Sequence, residues 1–340
     1  MNATTLAPVA TASNAFGPAQ KLKLLLKREF WENRSFLWAP AITGVIATTF
    51  ALIGMIIATI FIQRAKSDGS FHDGFSVDGE PVGQTLGAIG TGIFANGMSL
   101  AILVTIFVVF FYALGSLYDE RRDRSVLFWK SLPVSDGLVV LSKALWALVL
   151  GPVMGMAVGV LIGLAVWLLA GVAMAINGVP GVGGYFTGFS PFHVIGQLFG
   201  TLPVYIAWSL PTVGWLMLCS AWSRRFPFLW AVLIPLLGCA MASMTGLIFS
   251  AVTGAEFPHG HLWYVVALRG LCSLVPGTWY VHAADATQLM SMGQDDQVAA
   301  KLDLMSSWQA FGTADMWIGA AAGVAMIVLA TRLRRWRDEG

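Results

Sequence analysis

The sequence predicts an all-α, polytopic membrane protein with six transmembrane helices, and three observations predict it. The chain is 57% hydrophobic and only 11% charged, with a mean hydropathy of +0.73, whereas soluble domains run at about 25% charged. Its apolar residues gather in runs long enough to cross a hydrocarbon core of about 30 Å, which takes roughly 20 residues as helix, because backbone groups in lipid must bond within their own segment. Its basic residues fall on alternate sides of those runs.

The elements follow in order. Residues 1–20 carry no charged side chain and are rich in Ala and Thr, the composition of a disordered tail, and 21–340 form the membrane domain. Its first stretch reads as an interfacial helix: Leu22, Leu26 and Phe30 recur at i, i+4 and i+8, Lys23 and Lys27 lie to one side, and Trp31 suits headgroup depth. The spans are placed at about 38–62, 90–117, 138–172, 194–222, 226–253 and 314–331. Lys143 and Asp315 fall near span ends, where a long or terminal side chain is expected to reach water. Residues 262–281 are long enough to cross, but Arg269 sits mid-run and Gly270, Pro276 and Gly277 interrupt it. They are expected to stay at the outer leaflet or re-enter, followed by an external cap with a short helix before the last span.

Orientation comes from the bases. With the N-terminus inside, sixteen of the 20 Lys and Arg residues are cytosolic, leaving Arg64, Lys66, Arg269 and Lys301 outside. Both termini are then cytosolic. A seventh span would carry RLRRWR, residues 332–337, to the outer side against that rule.

Within the spans, Asn96 and Ser99 share a face at i and i+3, where such residues join helices or line a substrate path. Pro203 and Pro211 in the fourth span, with Pro152 and Pro235 in the third and fifth, each remove a helical hydrogen bond and allow a kink. No metal site is expected: His259 and His261 lack a third ligand, and Cys219, Cys239 and Cys272 form no spaced framework. No Gly-Lys dipeptide occurs, so there is no phosphate loop, and HExxH and GxSxG are absent as well. The small net charge of +2 gives no reason to invoke a nucleic-acid partner.

The densest charge lies in YDERRDRSVLFWKSLPVSD, residues 118–136, between the second and third spans. Membrane anchoring accounts for Arg121, Arg122, Arg124, Lys130 and the interfacial Trp129. It does not account for Asp119, Glu120 and Asp123, which anionic lipid would repel. Mixed charge beside Phe128 and Trp129 suits a protein partner better.

At these residues the chain resembles the permease subunits of type-two ABC exporters. Glu120 and Arg121 are similar to the family's acid–base pair ending the second span. Ser125 matches its hydroxyl residue, Leu132 and Pro133 its Leu-Pro, Ser135 the next hydroxyl, and Lys143 the basic residue opening the third span. Arg124 stands where the family often has Gly. The likeness in topology covers about residues 20–337.

The resemblance implies a bacterial inner-membrane exporter permease, paired with a second copy or a similar chain. It has no cofactor of its own. ATP and Mg would bind a separate cytosolic ABC ATPase subunit, contacted through a coupling helix at Glu120, Arg121, Arg122, Arg124, Ser125, Phe128, Trp129 and Lys130. Without the resemblance, a membrane sensor or scaffold recruiting another cytosolic partner, or an ATP-independent channel or carrier, fits the same composition.

Overall fold

The computed structural model describes residues 17–68, 82–123, 134–255, 257–281 and 304–337, and these are all-helical, with six helices long and apolar enough to cross a membrane. The first is α2 (Ser35–Ser67), preceded by α1 (Pro18–Glu32), which starts three residues before the expected boundary on a proline in its first turn. Proline suits that position because its missing N–H would be unbonded there anyway. The second span is α3 (Val82–Gly115), followed after a break by the short α4 (Tyr118–Arg122). The third, α5 (Asp136–Ile176), is N-capped by Ser135, whose side chain accepts from the Leu138 amide.

Two short helices, α6 (Val182–Thr187) and α7 (Pro191–Gly200), lead into the fourth span, α8 (Leu202–Trp222). The fifth is α9 (Leu229–Thr253) and the sixth α12 (Ala314–Arg337). Between them lie α10 (His259–Trp263), continued by a π turn over Tyr264–Arg269, and α11 (Leu304–Gln309). The eleven residues from His259 to Arg269 rise about 16 Å, roughly half a hydrocarbon core. Gly277, at φ 90°, then turns the chain into the 3₁₀ turn Thr278–Tyr280. This segment therefore holds no helix long enough to span.

The span that carries the core is α8. Val213, Leu216, Met217 and Cys219 are buried against Val109 and Ala113 of α3, Ala147 of α5 and Ala330 of α12. By contrast α2 is peripheral, with Val45, Phe50 and Phe61 more than half exposed. Without a hydrophobic drive between helices in lipid, small residues that let backbones approach decide which helices pair. Gly151, Gly155, Gly159 and Gly163 recur every four residues on α5. A Cβ at Gly155 would collide with Thr105, one at Gly159 would meet Met98 at 3.1 Å, and one at Gly163 the Phe94 carbonyl oxygen at 2.8 Å. Gly214 and Gly323 meet in the same way where α8 crosses α12.

The prolines divide by local geometry. Pro152 follows, after Gly151, a π turn over Trp146–Leu150, and Pro235 follows, after Ile234, another over Leu229–Leu233. An extra residue in the turn absorbs the ring and the missing donor, so both helices continue. Pro203 corrects the expectation: it lies in the first turn of α8, where no helical hydrogen bond is lost. Pro211 alone of this pair lies inside α8, and it is buried.

Candidate functional site

At the end of the bundle where α1 and the last turns of α12 both pack on the start of α5, four elements bring their charges together. From α4 comes Glu120, 7% exposed. Its Oε1 lies 3.1 Å from Lys143 Nζ of α5 and 3.3 Å from Arg28 Nη2 of α1, and its Oε2 lies 2.7 Å from Arg334 Nη1 of α12. A second carboxylate, Glu29 of α1, is 1% exposed and accepts from Lys143 at 3.0 Å, Tyr112 at 2.8 Å and Asn33 at 3.1 Å. Asp136, in the first turn of α5, lies 3.3 Å from Arg334 Nε. Glu32 holds Arg28 from the side at 2.7 Å.

Lys143 is thus 4% exposed and bound between two glutamates. The expectation that it reaches water is corrected: it lies seven residues inside α5, where its side chain meets α1 and α4 before it meets solvent. Burial by itself would raise the Glu120 pKa, but Lys143, Arg334 and Arg28 outweigh it and hold the carboxyl below the ordinary glutamate range. Nearby, burial and the neighbouring Asp123 push the Asp119 carboxyl up. A polar cavity of about 440 Å³ lies beside the cluster, lined by Arg28, Asn33, Tyr112, Asp119, Asp123 and Lys143.

Arg121 does a different job. Its guanidinium donates to the Ser220 carbonyl, and to that of Ser223 at 3.2 Å, covering acceptors left open at the end of α8. In return Ser220 Oγ accepts from the Leu117 and Tyr118 amides at 3.0 and 2.9 Å, across the break between α3 and α4. Glu120 and Arg121 therefore tie α4 to α1, α5, α8 and α12.

Of the residues expected to contact a partner, Glu120 and Arg121 turn inward, while Arg122 is exposed. Arg124, Ser125, Phe128, Trp129 and Lys130 lie outside the described residues. On α1 the buried line runs through Leu25 and Glu29, with Leu22 and Leu26 half-buried, whereas Lys23, Lys27, Phe30 and Trp31 are exposed. The line expected through Phe30 is displaced because the helix packs Glu29 onto Lys143. Phe30 instead touches the Trp146 ring edge-on at 6.2 Å.

Asn96 and Ser99 are both exposed and bond to their own helix, Asn96 to the Gly92 carbonyl at 3.0 Å and Ser99 to that of Asn96 at 2.8 Å. Among the described residues their side chains bond to no other helix. Sequence reasoning missed Glu29, Asp136 and Arg334. Glu29 had a signal: it is an acid at i+7 and i+4 from Leu22 and Leu25, on an apolar line. Arg334 had none, being one of four bases in RLRRWR.

Among the described residues no group of three or more His, Cys, Asp or Glu side chains is placed to hold a metal ion. Comparison with protein families, with characterised proteins and with solved structures gives no match to this chain.

Proposed function

We propose that this chain is the permease subunit of an ATP-driven exporter, seated in a bacterial inner membrane with both termini cytosolic and moving its cargo by alternating access. A separate ABC ATPase would engage residues 124–133. What supports the reading is the Glu120 cluster. The hinge of that loop is bonded to α1, α5, α8 and α12, so a push on the loop moves four helices together as a rigid body. ATP and Mg would bind the ATPase, leaving this chain non-catalytic. A second permease copy would cover Asn96 and Ser99, whose side chains face outward from a spanning helix.

The test is co-purification of the ATPase together with export. Trp129→Ala should weaken assembly by about 2 kcal/mol, or roughly 30-fold, if the ring fills a groove as an interface anchor does. Arg122→Glu should cost under about 1 kcal/mol, since an exposed rim charge is screened. Purified permease alone should hydrolyse no ATP. Intact assembly and export in Trp129→Ala would reduce the loop to a membrane anchor.

Topology has its own measurement. Single cysteines at Asp296 and Arg335, in a background lacking Cys219, Cys239 and Cys272, should react with a membrane-impermeant thiol reagent from outside and inside respectively. Labelling at Arg335 from outside would overturn the six-span orientation.

A further inference from the structure

At the other end of α12, about 28 Å from Arg334 along the helix axis, lies Asp315. There α8, α9, α10 and α12 surround a cavity of about 570 Å³. Pro211, Trp215, Gly238, Ile318 and Ala322 make most of its wall apolar, and Arg269 also lines it. Arg269 is 7% exposed. Its guanidinium lies 3.7 Å over the Trp208 ring, and it donates to the Trp208 carbonyl, to Ser273 Oγ at 3.1 Å and to the Asp315 carbonyl at 3.3 Å. A Cβ on Gly319 would collide with it, so glycine there makes room for the charge.

All these partners are neutral. Among the described residues no carboxylate comes within the 4.0 Å of an ion pair, and the buried Nε has no hydrogen-bond partner. The Asp315 carboxylate instead accepts from Tyr264 at 3.1 Å. A desolvated cation whose direct partners are all neutral, and which the Asp315 carboxylate supports only from beyond ion-pair distance, keeps bonding capacity for an incoming anion. Ile318 and Val265 on the lining are 68% and 46% exposed, so the cavity opens on the surface where the spans meet lipid.

We propose that this cavity binds a single-chain amphiphile, its singly charged anionic head on Arg269 and its apolar chain along Trp215, Gly238 and Ala322. The volume falls within the range of about 300 to 1,000 Å³ usual for small-molecule sites. Asp315 faces the same space, which disfavours a multiply charged head. A cationic head would meet Arg269, and a neutral one would leave it unpaired. The site stands whether or not an ATPase binds the opposite end.

The experiment is equilibrium binding of radiolabelled dodecanoate, dodecanol and dodecyltrimethylammonium to the full chain in nanodiscs of neutral lipid, at mildly alkaline pH. Dodecanoate should bind saturably and about tenfold or more tighter than dodecanol, the gain of one charge-assisted hydrogen bond. Arg269→Gln should erase that preference. Gly238→Phe should abolish saturable binding of both without disturbing the fold, because a Cβ there meets nothing within 4 Å and the ring fills the cavity. If Arg269→Gln does not fold, the ligand series and Gly238→Phe decide alone. Added lysophosphatidylglycerol, a single-chain lipid with one anionic phosphate, that competes assigns the site to a membrane lipid, and failure to compete assigns it to a free carboxylate amphiphile; both agree with the proposal. Equal binding of dodecanoate and dodecanol, or dodecanoate binding undiminished in Gly238→Phe, overturns it.

Discussion

Replacing Glu120 with glutamine should destabilise the folded chain by about 3 to 5 kcal/mol, the usual cost of removing one partner from a buried charge cluster. Glutamine keeps the shape and loses the charge. Of the ion pairs described, Arg334 would keep the one to Asp136, Arg28 the one to Glu32 at its exposed edge, and Lys143 the one to Glu29. Thermal unfolding of the purified protein measures the loss, and an unchanged midpoint would mean that the cluster contributes nothing net. Lys143→Met should be comparably damaging, because Glu29 and Glu120 would then face each other without the cation between them.

The pH dependence has a definite sign. The Glu120 carboxyl is held below its ordinary value of 4.5 in the folded chain. Its contribution is therefore complete above the unfolded value and disappears as pH falls through the lower folded one. Wild type should lose stability steeply in that acidic range, and Glu120→Gln, lacking the contribution at every pH, should show a shallower decline. Parallel pH profiles for the two would remove Glu120 from the account.

Gly214→Leu is the second large effect, expected to cost about 3 kcal/mol or more, at or beyond the top of the usual range for overpacking. A Cβ at Gly214 would stand 2.5 Å from the Gly323 carbonyl oxygen and 3.0 Å from its Cα. Those atoms are backbone, so no side chain can rotate away, and α8 and α12 must separate. That crossing lies between the Glu120 cluster and the Arg269 cavity, so both should loosen together. Gly54→Leu supplies the control: a Cβ there meets nothing within 4 Å, on the peripheral α2, and stability should hardly change. Equal unfolding midpoints for the two leucine variants would show that the α8–α12 contact tolerates expansion.

By itself the sequence determined what the solvent dictates. Hydrocarbon requires long apolar helices, so the six spans were legible to within a few residues at most ends, and residues 262–281, interrupted at Gly270 and Gly277, hold no helix of spanning length. Glu120 and Lys143 stood out in the sequence, Glu120 as a partner contact and Lys143 as a side chain reaching water. Their relation did not. Chain separation hides which charges meet: Glu29, Glu120, Lys143 and Arg334 come from four elements and touch only after α1 packs on α5 and α12 closes the bundle. The helix pairing that brings them together depends on glycines whose role is visible only when a facing backbone occupies the place of their missing side chains. The same holds for Arg269: one base between the fifth and sixth spans could as well have been solvated, and only the packing of Trp208, Gly319 and Asp315 around it makes it a buried cation beside an apolar cavity.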